Sequence, residues 1–177
     1  MRPILLVLAL IGTTTLWAAQ TCPSQLERVA PNARYIDNAD GTISDKATGL
    51  MWKKCSEGLS GTACDSGTAI SNYWEPALQA ASTNTFAGYS DWRLPNLPEL
   101  RTLIETGCHN PAINTGLFPE TVEGSFYLSS TVDHLTGLVH VILFRDGSGG
   151  LYSREFFAVT RLVRQIGTQN RGKDDAY

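Results

Sequence analysis

Asp91-Trp-Arg-Leu-Pro-Asn-Leu-Pro-Glu-Leu100 is the stretch on which the fold turns. Trp92 and Leu94 alternate, which sends both to one side of a short strand and Arg93 to the other, where a nearby carboxylate would pair with it. Pro95 ends that strand. Asn96, with Glu99 three positions later, reads as a helix cap, and Leu100, Leu103 and Ile104 then share one helical face until Gly107.

Working toward the N-terminus, a first helix is expected from Asn72 to Ala81, with Asn72 as its cap, Glu75 three places on, and Trp74, Leu78 and Ala81 along one face. Pro76 is tolerable because it lies in the first turn. Earlier still, Tyr35-Ile36, Thr42-Ile43-Ser44 and Leu50-Met51-Trp52-Lys53 are strand-like, and Asn38 to Gly41 and Lys46 to Gly49 are turns. The segment therefore reads as a three-stranded meander. Residues 20–33 form an irregular lead-in with one helical turn around Gln25 to Val29.

Toward the C-terminus the strand pattern returns at Phe126 to Thr131, Gly137 to Arg145, Leu151 to Arg154 and Ala158 to Gln165, with a glycine-rich turn at Asp146 to Gly150. Val139 to Phe144 is nearly continuous in apolar residues, as suits a strand covered on both faces. Strands, then helices, then strands give an α+β domain over 34–166, with mixed, mostly antiparallel sheets, two helices, and the two chain ends sharing a sheet. The polar tail 167–177 has no periodicity and is expected to be disordered.

The leader sets the chemistry of the rest. Arg2, the apolar run Pro3 to Gly12 and the small residues up to Ala19 read as a cleavable export signal over 1–19. The apolar run is too short for a stable span, which needs roughly 20 residues, so the exported chain is expected to be soluble or peripherally attached. Loss of Arg2 takes Lys plus Arg from 14 to 13 against 17 Asp plus Glu, and the formal charge from −3 to −4. The chain has no basic block, which argues against nucleic acid as a partner. The four cysteines Cys22, Cys55, Cys64 and Cys108 are even in number and exported, so disulfides are expected. The flexible loop between Cys55 and Cys64 favours that pair and leaves Cys22 with Cys108.

Neither a metal nor another cofactor is expected. Zinc lacks its usual ligand pairs. Asn38, Asp40 and Gly41 fall at three places of a calcium loop, but Ile36 would then occupy the first ligand position, so a hairpin turn is the better reading. His109, His134 and His140 are scattered, and Ser129, Ser130 and Thr131 lack a nucleophile elbow. No catalytic residue is assigned, and the chain is read as a non-enzyme.

Asp40 to Trp52, Ala87 to Asn96 with Glu99-Leu100, Phe126 to Thr131, and Arg161-Leu-Val-Arg164 together resemble the Lcl C-terminal domain family, over about Arg34 to Arg164. That family takes its name from the end domain of a Legionella collagen-like adhesin. The Trp-Arg-Leu-Pro element is also similar to one in formylglycine-generating domains, which implies a C-type lectin-like fold. Their copper and substrate chemistry would need cysteines beyond Cys108, and this chain has none, so that activity is the weakest alternative. The sugar-binding Glu-Pro-Asn and Gln-Pro-Asp triplets of C-type lectins are also absent.

What the resemblance implies is ligand recognition, of a glycan or a protein, at the bacterial cell surface, in the periplasm or outside the cell. Tyr127, Asp133, His134, Arg145, Asp146, Tyr152 and Arg154 are the expected binding face, because they put polar and aromatic groups near glycine-rich turns. A polyanion would need a patch gathered from Lys53, Lys54, Arg145, Arg154 and Arg161. The alternative class is an envelope or pilus-associated structural subunit, with aromatic contacts such as Tyr73 and Trp74, and assembly into an oligomer is open.

Overall fold

The computed structural model describes residues 20–167, so the expected signal 1–19 and the tail 168–177 lie outside the described residues. Among the described residues eleven strands and two α-helices follow in chain order. The meander is β1 (Tyr35–Asp37), β2 (Thr42–Asp45) and β3 (Leu50–Lys53); β4 (Leu59–Ser60) lies within the Cys55–Cys64 loop and pairs with β5 (Ser66–Gly67) just beyond it. Next come β6 (Ser71–Asn72), α1 (Trp74–Ser82), α2 (Leu97–Arg101), β7 (Phe126–Val132), β8 (Val139–Leu143), β9 (Ser148–Tyr152), β10 (Ala158–Val159) and β11 (Val163–Gln165).

Local chemistry makes the meander. Asp37 accepts from the Ala39 N–H, and Asp40 Oδ1 accepts from the N–H and hydroxyl of Thr42 at 2.9 and 2.6 Å. These carboxylates are therefore occupied in shaping a turn. Gly41 closes that turn at φ +85°, and a Cβ there would lie 2.6 Å from the Phe86 ring. Strand β11 adds antiparallel to β3, giving the four-stranded order β1-β2-β3-β11 and bringing the two ends of the domain together as expected.

The second sheet runs β6-β10-β7-β8-β9, antiparallel except where β10 meets β7. Its β8 is the apolar strand, with Val139, Val141 and Ile142 fully buried. One core cluster joins Trp52, Leu100, Phe118, Tyr127 and Ile142, and another joins Trp92, Leu94, Ala77, Ala81 and Val141, so the sheet is covered on both faces. Among the described residues no helix is long and apolar enough to cross a membrane.

The Trp-Arg-Leu-Pro element behaves as its alternation predicts. Arg93 exchanges two backbone hydrogen bonds with Val163 at 2.9 and 3.0 Å, Trp92 and Leu94 are buried, and the Arg93 guanidinium reaches both oxygens of Glu99 at 2.7 Å. Asn96 and Glu99 form a reciprocal capping box at the start of α2. That helix stops at Arg101, well before Gly107. The chain then bends so that Glu105 can pair with Ala112 and Ile104 with Ile113, while Leu103 stays buried.

Three other expectations are corrected. Asn72 does not cap α1: it pairs with Ala158 in β6, and Tyr73 occupies the cap position without a side-chain bond. Residues 25–29 form no helical turn, because the N–H groups of Val29 and Ala30 point to the buried carboxylate of Glu105 at 3.0 and 2.9 Å; a 3₁₀ turn forms instead at Asn32–Arg34. The stretch from Ala158 to Gln165 is two strands, split where Arg161 dives into the core. There its guanidinium donates to the carbonyls of Lys53 and Lys54 and to the hydroxyls of Ser56 and Thr121. The disulfides are Cys55–Cys64 and Cys22–Cys108, as the loop composition suggests.

Candidate functional site

The expected binding face divides into three places. Tyr127 is not on the surface at all. It is fully buried, its hydroxyl lies 2.7 Å from Ser56 Oγ and accepts from the Val122 N–H, and its ring packs on Phe144. Strand β7 is covered on both faces, so alternation could not assign this side chain outward. Arg145 and Asp146 occupy the β8–β9 turn. Asp133, His134, Tyr152 and Arg154 lie at the other end of the sheet, beyond a five-residue strand of roughly 17 Å.

The groups at that far end differ in what they have left to offer. Asp133 Oδ1 accepts from the N–H and hydroxyl of Thr136 and the N–H of Leu135, which hold its carboxyl below the usual range and commit it to shaping the loop. His134 is exposed on the same loop. Tyr152 packs against Phe126 and Phe156 at 4.9 and 4.2 Å and is part of the hydrophobic packing. Arg154 is exposed, lies 4.8 Å over the Trp74 ring and donates to the Gly137 carbonyl at 3.3 Å.

Beside Arg154 lies a notch of about 190 Å³, walled by Tyr73, Glu75, Pro76, Arg154 and Glu155. Its geometry follows from β-pairing. Ala158 faces Asn72 across β6 and β10, and one step further along the same register sets Phe157 opposite Tyr73. Their rings meet at 4.0 Å, with Tyr73 39% and Phe157 56% exposed. The Trp74 N–H donates to the Arg154 carbonyl at 3.0 Å and its indole donates to the Ser129 carbonyl at 3.0 Å, which docks the start of α1 on the sheet. Glu75 and Glu155 are exposed, and among the described residues neither carboxylate has an ion-pair partner. An apolar platform beside free carboxylates and a guanidinium can stack a flat apolar surface and hydrogen-bond its rim.

Two other concavities hold a cation that is already paired. The cavity of about 380 Å³ near Asp40 and Phe86 contains Lys53, whose ammonium lies 2.6 Å from Glu57 and 4.5 Å over the Phe86 ring. The open depression of about 540 Å³ near Asp146 includes Arg34, which is held by Asp45 at 2.8 and 2.5 Å. Nor are Lys53, Lys54, Arg145, Arg154 and Arg161 gathered into one basic patch. Lys54 pairs with Asp37, Arg161 is fully buried, and Arg145 and Arg154 stand at opposite ends of β9.

Phe157 and Glu155 were not singled out by sequence, and Glu75 and Pro76 read there only as residues of a helix's first turn. The one available signal is Phe156-Phe157 between two strands, where adjacent aromatics cannot both point inward.

The family model described as the Lcl C-terminal domain matches residues 41–164 of the chain. No curated protein matches it.

Proposed function

The chain belongs to the Lcl C-terminal domain family, and from that premise we propose that it is an exported, non-catalytic recognition module. It binds a glycan or protein at the bacterial cell surface or in the periplasm, in the manner of an adhesin domain. The observation that carries the reading is the exposed Tyr73–Phe157 pair beside Arg154, Glu75 and Glu155. Aromatic rings left in water next to carboxylates without an ion-pair partner suit the apolar face and hydroxyl rim of a sugar, or an exposed peptide side chain. Two carboxylates against one guanidinium make the notch slightly acidic, so a neutral or amino-bearing ligand suits it better than a polyanion. Two disulfides support export, because such bonds persist in oxidising compartments. The β11–β3 closure of the domain's ends is compatible with a C-type lectin-like arrangement.

The test is a glycan array with a pull-down from envelope extracts, using the oxidised protein with and without chelator. Capture that survives chelator and disappears in Phe157→Ala supports the reading. Capture abolished by chelator, capture indifferent to Phe157, or turnover of any captured substrate contradicts it.

A further inference from the structure

Strand β9 is the last strand of the five-stranded sheet: it pairs with β8 on one side and, among the described residues, with no strand on the other. An edge of this kind points alternate N–H and C=O groups outward, and natural edges are usually blunted by lysine, proline or a bulge. Ser148-Gly-Gly-Leu-Tyr152 contains neither lysine nor proline, and its register with β8 is continuous. Both glycines are required by what lies beside them. A Cβ at Gly149 would come 2.8 Å from the Val141 carbonyl oxygen, and one at Gly150 would come 2.8 Å from the Tyr152 ring. Apart from Ser148, whose N–H and hydroxyl donate to Asp146 Oδ1 at 3.0 and 2.6 Å, the edge is nearly bare backbone, next to a Leu151 side chain that is 41% exposed.

The charges at its two ends have opposite order. Arg145-Asp146 precedes the strand and Arg154-Glu155 follows it, and all four residues are exposed. We propose that two copies of this chain pair β9 to β9, antiparallel, about a two-fold axis at Gly150. In that register Ser148 faces Tyr152 of the second copy and Gly149 faces Leu151. The Arg145 turn arrives at the second copy's Glu155, and Asp146 arrives at its Arg154. Every encounter joins opposite charges, and the symmetry repeats each of them. A parallel arrangement would instead set arginine against arginine. The antiparallel contact is isologous, so it uses up both edges and closes at a dimer. It also carries Arg145 and Asp146, far from the notch within one chain, to the side of Arg154 and Glu155 in the other. Arg154 and Glu155 also wall the notch, so the pairing is measured on the protein without ligand.

Sedimentation of the purified oxidised protein tests this, with the exposed-site variants Arg145→Glu and Glu155→Lys. Each variant alone sets like charges together at both ends of the strand pair, whereas a mixture of the two restores opposite charges at both. The expected result is a dimer for the unaltered protein, a dissociation constant raised roughly tenfold or more in each variant alone, and a heterodimer of restored affinity on mixing. Leu151→Lys, which places a lysine on the same edge, is a second disruption. An unaltered protein that stays monomeric over the concentration range, variants that dimerise like it, or a mixture that remains monomeric overturns the proposal.

Discussion

Tyr73 and Phe157 face each other across β6 and β10, their ring centroids 4.0 Å apart, 84 positions apart in the chain and both in contact with solvent. A tilted aromatic contact of this kind contributes about 0.5–1.5 kcal/mol. Phe157→Ala is therefore expected to lower unfolding free energy in urea by about 1 kcal/mol. A loss of about 3 kcal/mol or more would show the pair to be core and not platform.

Tyr152 and Arg154 are neighbours in sequence that play different parts. The Tyr152 ring covers Gly150 and packs on Phe126 and Phe156, so Tyr152→Ala is expected to cost about 3 kcal/mol of stability. Arg154→Ala removes a cation held over the Trp74 ring at the exposed surface and is expected to cost about 1 kcal/mol or less. Thermal melts of the two variants check the contrast, and equal losses would contradict the placement of Tyr152.

How much of this was legible follows from the range of each interaction. The Arg93–Glu99 pair, the Asn96 capping box and the Asp40–Gly41 turn are local, and spacing alone reads them. Tyr127 was not legible, because its partners Ser56 and Val122 are brought to it by the tertiary fold and its strand is buried on both faces. Helix α2 ends early because Glu105 finds Ala112 across a loop. The notch is assembled by a two-residue strand pair that leaves no periodic trace, and β9 separates Arg145 and Asp146 from Arg154 although sequence proximity had grouped them.

Glu105 makes stability depend on pH. Burial pushes its carboxyl up, but the N–H groups of Ala30, Val29 and Gly107 and the Arg28 guanidinium outweigh that and hold it below the ordinary 4.5. The folded state then binds fewer protons than the unfolded one, so the stabilisation is complete above the unfolded value and is lost as pH falls from 4.5 through the folded value. Glu105→Gln is expected to cost about 2 kcal/mol at neutral pH and to shrink the loss of stability on acidification. Urea titrations at neutral and acid pH measure both, and an unchanged acid loss would contradict the assignment.

Arg161 is fully buried and ties the Lys53–Ser56 segment to Thr121 with hydrogen bonds from two of its nitrogens. A lysine cannot reproduce that fork. Arg161→Lys is therefore expected to destabilise the protein by about 3 kcal/mol or more. Retention of full stability in denaturant would show the fork to be dispensable.

The two disulfides close chain segments of very different length, 86 and 9 residues in separation. Loop-closure entropy assigns about 4–5 kcal/mol to Cys22–Cys108 and about 3 kcal/mol to Cys55–Cys64. Paired serine substitutions are expected to lower the melting temperature more at Cys22 and Cys108. The reverse order would contradict that entropic ranking.

The most direct test of recognition at the notch is calorimetric titration of a ligand captured on the glycan array or from envelope extract, comparing the unaltered protein with the Tyr73→Ala/Phe157→Ala double variant. Affinity at least tenfold weaker is expected in the double variant, a loss of about 1.4 kcal/mol or more, with folding retained. Equal affinity in the two folded proteins would contradict it.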